Sequence, residues 1–439
     1  MKNCIVIIIS FFITSCVDHF TIPENINSNN SNIFGAGDTT FLLLSPNWDE
    51  SYGLESPTEI SISPDGRIFV ADKNINSIHV LNQDGSVPAG FSGLKSLKNE
   101  EGNPLYPIDL DIDNKMNVYF IDGSHLVYVW NQNWNDVGIN KVALSAIYRN
   151  KETQFDTILD INSNLWSAII NDEATDFLND WELVENIFLQ DDDIINGLLN
   201  PHTFYDGTED INIFNDSYYQ SDSSRFQGLT SNQGDNNIFV VDDFGGGNNQ
   251  HRIVQINLKR KFLIELGTGD IVWVFKGEFG STIKGYGTGA GTVHQPSSLD
   301  IDYQGNLYYT QLGDFFPVHM VVPNYSGDFA TFTSGFQPGV NDIMNSGQYM
   351  RLVDVAVDNN KSVYVVDQIQ AEIKVFNSQG DFFKNIKYYS EQDSINIMNK
   401  PVAVTVDNRG VVYVCDEVDK TIYRFKLSNN LNEDIVIEN

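Results

Sequence analysis

Arg225, Arg351 and Lys400, together with His294 and Gln295, stand one or two residues ahead of strands that recur through the chain. Three cations and an imidazole gathered at one end of a repeated structure would make a local anion site, and arginine suits two-pronged capture of carboxylate, phosphate or sulfate. The setting is acidic: 26 Lys and Arg face 59 Asp and Glu, a net charge of −33. The competing reading is that these cations are solvated and each pairs with a nearby acid. A second group is Asp243 and His251, at the two ends of a glycine-rich segment, with Tyr286 and Tyr349 on segments too long for hairpins. Aromatic rings beside Asn and Asp suit sugars or peptides, although such rings also cover the ends of sheets.

Several chemistries are disfavoured. Nucleic-acid binding needs a basic footprint, which this charge balance opposes. Gly285–Gly291 is glycine-rich but lacks the Lys-Ser/Thr and the strand-to-helix setting of a phosphate loop. Seven scattered histidines define no Ser-His-Asp or Cys-His set. No stretch matches a dedicated calcium loop, so no cofactor is expected, with calcium left open because of the abundant aspartate. Asp72, Asp122, Asp242, Asp367 and Asp416 recur in register and read as turn caps rather than as a metal ring.

The elements that position these residues come from a repeat. Turn residues Ser63, Asp113, Gln233, Asp302, Asp358 and Asp407 are each followed, six residues on, by an aromatic and, nine residues on, by a polar residue that ends a strand. Pro57, Pro107, Pro296 and Pro401 stand six before the turn residue, where a first strand position tolerates a missing N–H. Four short strands per copy describe the blade of an all-β propeller. These residues resemble NHL repeats over most of 55–427. The gap from 113 to 233 is long, and Leu159-Asp160-Ile161-Asn162 mirrors Leu110-Asp111-Ile112-Asp113. Seven blades are therefore favoured, with six plus a long insertion as the alternative. Ala174, Phe177, Leu178, Trp181, Val184 and Phe188 recur at helical spacing, which places a helical insertion near 172–200. The last copy has three strands, and Thr39–Leu44 has no copy of its own. That segment is expected to close the last blade within a propeller spanning 34–427, and 428–439 is a tail.

In a four-stranded blade, the second-to-third and fourth-to-first connections share one face. The long segments Asp172–Asn200, Asp242–His251, Gly277–Gln295, Gly313–Val318 and Thr333–Met350 are assigned to it, and Phe315, Phe316 and Phe336 lie on the same segments. Long connections on one face indicate binding. The repeats are also similar to those of peptidyl-hydroxyglycine amidating lyase, which implies three zinc-binding histidines after the proline position. Thr58, Ile108, Gly228, Ser297, Val353 and Val402 occupy those places here, so the lyase activity is not expected. A likeness to gluconolactonase-type propellers implies a carboxylate and amide trio in the channel, which Glu55 and Asn399 would begin.

Residues 1–15 read as a lipoprotein signal peptide: Lys2, an apolar run over Cys4–Phe12, then Ile13-Thr14-Ser15-Cys16, which resembles a lipobox. Cys16 would carry the lipid, with 16–33 a polar tether. The expectation is an exported protein anchored in the bacterial envelope, at the outer membrane or cell surface. It binds a protein, peptide or glycan on its elaborated face and is more a binder than an enzyme. A lactonase- or lyase-like channel enzyme and a docking subunit of an envelope assembly are the alternatives.

Overall fold

The computed structural model describes residues 40–89, 93–99, 102–131, 143–160, 163–170, 173–188, 201–207, 223–232, 237–243, 251–265, 271–313, 315–325, 330–387 and 398–428. The expected signal peptide (1–15), Cys16, the expected tether and the tail beyond Ser428 lie outside these residues.

After β1 (Thr40–Leu43), the first blade is β2 (Pro57–Ile62), β3 (Ile68–Asp72), β4 (Ser77–Leu81) and β5 (Gly93–Leu94). The second begins with β6 (Asp109–Ile112), β7 (Asn117–Ile121) and β8 (Leu126–Asn131). It is interrupted by β9 (Ala143–Asn150), β10 (Asp156–Asp160), α1 (Asn164–Ile170), α2 (Thr175–Asp180) and β11 (Trp181–Phe188), and it ends with β12 (His202–Asp206). The third is β13 (Phe226–Ser231), β14 (Asn237–Asp242), β15 (Arg252–Glu265) and β16 (Ile271–Gly285). The fourth is β17 (Pro296–Ile301), β18 (Leu307–Gln311), β19 (Val318–Tyr325) and β20 (Ala330–Ser334). The fifth is β21 (Leu352–Val357), β22 (Val363–Asp367), β23 (Glu372–Phe376) and β24 (Phe382–Ile386), and the chain finishes with β25 (Pro401–Val406), β26 (Val411–Asp416) and β27 (Thr421–Ser428).

Among the described residues these strands make six four-stranded sheets and one three-stranded sheet. The innermost strands β2, β6, β13, β17, β21 and β25 neighbour one another in turn, and β25 returns to β2. A closed ring of radial antiparallel sheets is a β-propeller. The core lies between sheets, as where Phe69 and Val80 meet Leu110 and Phe120. The sheet β1-β27-β26-β25 supplies the expected closure. Leu44 N donates to Arg424 O at 2.8 Å, and Trp48 and Ile422 exchange backbone bonds in both directions.

The favoured count of seven is corrected. In its described residues the candidate extra copy, 159–171, contributes no inner strand: Leu159 and Asp160 end β10, 164–170 form helix α1, and the three-stranded sheet runs β10-β9-β11. The outermost strand of the second blade is β12, which follows the insertion, so 132–201 joins a third strand to a fourth. The described part of Asp172–Asn200, 173–188, therefore belongs to a third-to-fourth connection, which lies at the end of the propeller opposite the one assigned to it. The helical region also begins earlier, and 181–188 is a strand. Gly277–Gly285 belongs to β16 rather than to a loop.

The repeat spacings have a bonding cause. The tyrosine six past the turn reaches back to the turn aspartate: Tyr119 to Asp113 at 3.2 Å, Tyr308 to Asp302 and Tyr364 to Asp358 at 3.3 Å, Tyr413 to Asp407 at 3.2 Å. The residue nine past the turn pairs with the proline position, as in Pro57↔Asp72, Pro296↔Gln311 and Pro401↔Asp416.

Candidate functional site at the propeller mouth

The strand-ending side chains fix the channel mouth. Asp72 accepts from Glu55 N and Ser56 N at 2.7 and 3.0 Å. Asp367 accepts from Met350 N and Arg351 N at 2.8 and 3.1 Å, and Asp416 from Asn399 N and Lys400 N at 2.7 and 2.8 Å. Asp242 holds Arg225 N at 2.8 Å, and Gln311 holds His294 N at 2.9 Å. Asp416 also caps its turn by accepting Val418 N and Asp419 N. One carboxylate thus caps the second-to-third turn and anchors the start of the inner strand of the same blade.

Five of the sequence-derived site residues meet on the seam between the third and fourth blades. Asp243 follows β14, His251 precedes β15, Tyr286 follows β16, and His294 and Gln295 precede β17. The His251 and His294 rings stack with centroids 5.5 Å apart and planes 18° apart. Tyr286 stands edge-on to both, 6.0 and 5.5 Å away, and Phe315 lies 5.5 Å from His294. Gln295 N donates to His251 Nδ1 at 2.7 Å. That bond makes Nδ1 the acceptor and assigns the neutral ring's proton to Nε2, which faces Asp243 Oδ1 at 3.3 Å. Burial pushes the His251 pKa down, with Asp243 opposing, and burial pushes the Asp243 pKa up, with His251 and His294 opposing. His294 Nδ1 is buried and has no hydrogen-bond partner among the described residues. Tyr286 keeps 41% of its surface open to solvent. Phe244–Gln250, between Asp243 and His251, lie outside the described residues.

The other named residues fall elsewhere or act locally. Arg225 adjoins the cluster: its carbonyl accepts Asp243 N at 2.9 Å, and its Nη1 donates to Ser224 O at 2.6 Å. Arg351 is exposed at the start of β21. Lys400 pairs with Glu417, in keeping with the local-pairing reading of the mouth cations. Tyr349 packs against Phe376 and donates to Ile343 O at 3.0 Å, so it braces a wall between blades. Phe336 is buried in that wall. Asn399, the amide half of the lactonase-type set, turns its side chain to Asp419.

A second constellation had no place in the sequence reading. Glu59, Asp109, Asp111, Asp300 and Asp354 line an axial cavity of ≈ 50 Å³ with Ser61, Thr230 and Ser298. Four of them lace neighbouring blades together. Asp109 accepts from Leu229 N at 3.0 Å, and Asp111 from Ser61 Oγ and Ser231 N, both at 2.7 Å. Asp300 accepts from Val357 N at 2.7 Å, and Asp354 from Ser298 Oγ and Val404 N at 2.5 and 2.7 Å. Burial first, and repulsion from Asp354 second, push the pKa values of Glu59 and Asp109 well up. Burial raises Asp354 to about 6 and Asp300 to about 7. Among the described residues no set of three or more His, Cys, Asp or Glu side chains has the arrangement of a metal site. The signal was present in the sequence: carboxylates sit two past the proline position at Glu59, Asp109 and Asp354, and four past it at Asp111 and Asp300.

No protein-family model and no curated protein matches the chain. Among solved structures, a streptogramin B lyase is 10% identical with a TM-score of 0.41, covering 90% of this chain and 100% of that one. A gluconolactonase from Xanthomonas campestris is 7% identical with a TM-score of 0.45, covering 90% and 99%. The β-propeller domain of Cps50 (Swd1) from Myceliophteria thermophila is 9% identical with a TM-score of 0.45, covering 89% and 100%. Likenesses this distant assign no activity, and the propeller assignment rests on the closed ring of sheets described above.

Proposed function

We propose that this chain is an NHL-type propeller, held to the bacterial envelope by a lipid on Cys16, whose mouth binds a partner protein, peptide or glycan. The observation that carries the reading is the convergence of Asp243, His251, Tyr286, His294 and Gln295 from separate connections onto one seam. A phenol ring and an imidazole stack offer faces to apolar rings or to sugar C–H groups. The neighbouring carboxylate and amide supply acceptors and donors that fix orientation. The lipid anchor is supported by the order charged start, short apolar run, small residue and cysteine. No helix among the described residues is long and apolar enough to cross a membrane.

The test is a thermal-shift panel of oligosaccharides, peptides and small anions, with calcium, zinc and a chelator, on residues 34–439. A ligand at a hundred times its dissociation constant adds about 2.7 kcal/mol. A shift in the wild type that disappears in a Tyr286→Ala/His294→Ala double variant supports the mouth. A ligand that shifts both proteins equally binds elsewhere and sinks the reading.

One observation favours a second reading. An imidazole oriented by a carboxylate, beside another imidazole and a phenol, is an arrangement that general acid–base catalysis uses. Turnover of any panel compound, lost in His251→Gln, would establish the enzyme.

A further inference from the structure

The insertion in the second blade carries a surface that the mouth does not use. Its sheet, β10-β9-β11, is covered on one face by α1 and α2 through Leu165, Ile169 and Phe177. The two edges differ. The β11–β9 ladder has register shifts between Leu183 and Glu185 and between Ile187 and Phe188. The β10–β9 ladder runs without a shift from Asp156↔Arg149 to Asp160↔Ser145. Bulges twist an edge away from further pairing, so β11 is protected and β10 is not. Among the described residues no strand lies beyond β10.

The outward groups of that edge follow from one bond. Asn150 N donates to Phe155 O at 2.9 Å. Bonded and non-bonded pairs alternate in an antiparallel ladder, so the next bonded pairs are Thr157↔Tyr148 and Leu159↔Ala146. The N–H and C=O of Asp156 and Ile158 therefore point away from β9. Apolar side chains flank them, with Phe155 at 73% and Ile158 at 65% exposure, the former the most exposed large apolar residue described.

Charge selects the occupant. Glu152, Asp156, Glu173, Asp176, Asp180 and Glu182 are exposed around this sheet. Arg149 is engaged by Asp156 at 2.7 Å, and Lys151 Nζ by Leu178 O and Asn179 O at 2.9 Å. A second copy of the chain would meet its own excess of carboxylates. An extended segment with alternating basic and apolar residues meets opposite charge, backbone groups unpaired among the described residues, and apolar side chains together. We infer that the open edge of β10 binds an extended, cationic segment of a partner protein by strand addition. This does not depend on the function of the mouth.

The probe is an end-capped decapeptide of alternating lysine and valine. Its control is the lysine–proline decapeptide, which has equal charge but cannot continue a ladder. Binding to the intact protein is measured by fluorescence anisotropy at moderate salt, and amide exchange is read residue by residue. The expected result is binding of the valine peptide at least tenfold tighter than the proline peptide. The amides of Asp156 and Ile158 should slow, while those of Thr157 and Leu159, already turned to β9, should not change. Ile158→Pro removes only an outward donor, and Ile158→Lys keeps the backbone but adds a cation. Each should weaken binding at least tenfold with an unchanged melt. Equal binding of the two peptides, binding without slower exchange at Asp156 and Ile158, or full affinity in both variants overturns the inference.

Discussion

Gly313 lies so close to His294 that a Cβ there would meet His294 Nδ1 at 2.1 Å and its carbonyl oxygen at 2.6 Å. Both the ring and the backbone would have to move. Gly313→Ala should therefore cost about 1–3 kcal/mol, the range for overpacking, and should also shift the His294 ring resonances away from those of the His251 stack. A variant with wild-type histidine spectra and an unchanged melt would show that the seam does not need this close approach. Behind the cluster, His319 is buried on β19. Its Nδ1 accepts Gly291 N at 2.9 Å, its Nε2 donates to Phe316 O at 2.7 Å, and its ring stacks on Tyr309 at 4.8 Å. One histidine thus ties down the two connections that present Tyr286 and Phe315. Burial lowers its pKa from 6.5 to about 4. Between those values the unfolded chain takes a proton that the folded state refuses, so stability falls as pH falls through that window. Two and a half pKa units correspond to about 3 kcal/mol. Denaturant melts at pH 6.5 and 4.5 should therefore differ in their change between wild type and His319→Gln, with the wild type faring worse on acidification by up to that amount; parallel changes would remove His319 from the account.

The clasp that completes the last blade depends on Trp48. This residue is fully buried, lies under the Arg424 guanidinium at 4.6 Å, and packs 5.7 Å from Tyr413 and 6.1 Å from Tyr52. Trp48→Ala should cost about 3–5 kcal/mol, as for other buried large-to-Ala changes, and should broaden the melt because the ring opens at its seam. A narrow transition at the wild-type temperature would mean that closure does not hold the ring. The clasp was legible in the sequence because three strands in the last copy left one strand unassigned. The blades were legible because each copy is fixed by local bonds, the turn carboxylate to its tyrosine and the strand-ending carboxylate to the mouth. The insertion was misread for a physical reason. A bulge adds a residue and breaks the period of two, so Trp181, Val184 and Phe188 on the bulged β11 fall three and four apart, like a helix face. Leu159-Asp160-Ile161-Asn162 resembled a blade because a strand ending in Asp, as β10 does at Asp160, looks the same in any sheet. The mouth was half legible. Register gave His294 and Gln295 and loop composition gave Asp243, His251 and Tyr286; Tyr286 shares a connection with His294, but no spacing joins that connection to Asp243 and His251, which meet it only across neighbouring blades.

At the scale of the whole ring, the acidity of the chain has two parts. One part is exposed, as at Glu152, Asp156, Glu173, Asp176, Asp180 and Glu182. The axial set is inside, and its acceptors lace the inner strands. Asp300 is raised from 3.8 to about 7 and Asp354 from 3.8 to about 6. A raised carboxyl keeps a proton that the unfolded chain has released, so the folded state loses stability as pH climbs from the ordinary value through the raised one. His319 works in the opposite direction, but only between about 4 and 6.5. Below pH 6.5 the two effects oppose each other; above it the His319 contribution fades while Asp300 is still titrating. The melting temperature should therefore decline from pH 6.5 to 8. Asp300→Asn replaces one acceptor oxygen and loses one of the bonds from Ile301 N and Val357 N, each at 2.7 Å. That variant should be less stable than wild type at pH 6, by about 1 kcal/mol for one lost hydrogen bond. Its decline towards pH 8 should nevertheless be shallower, because the group that titrates there is gone. The comparison of slopes separates the axis from the remaining histidines, which both proteins share. If the two slopes coincide, ionisation at the axis does not govern the ring above neutral pH, and the lacing carboxylates act only as hydrogen-bond acceptors.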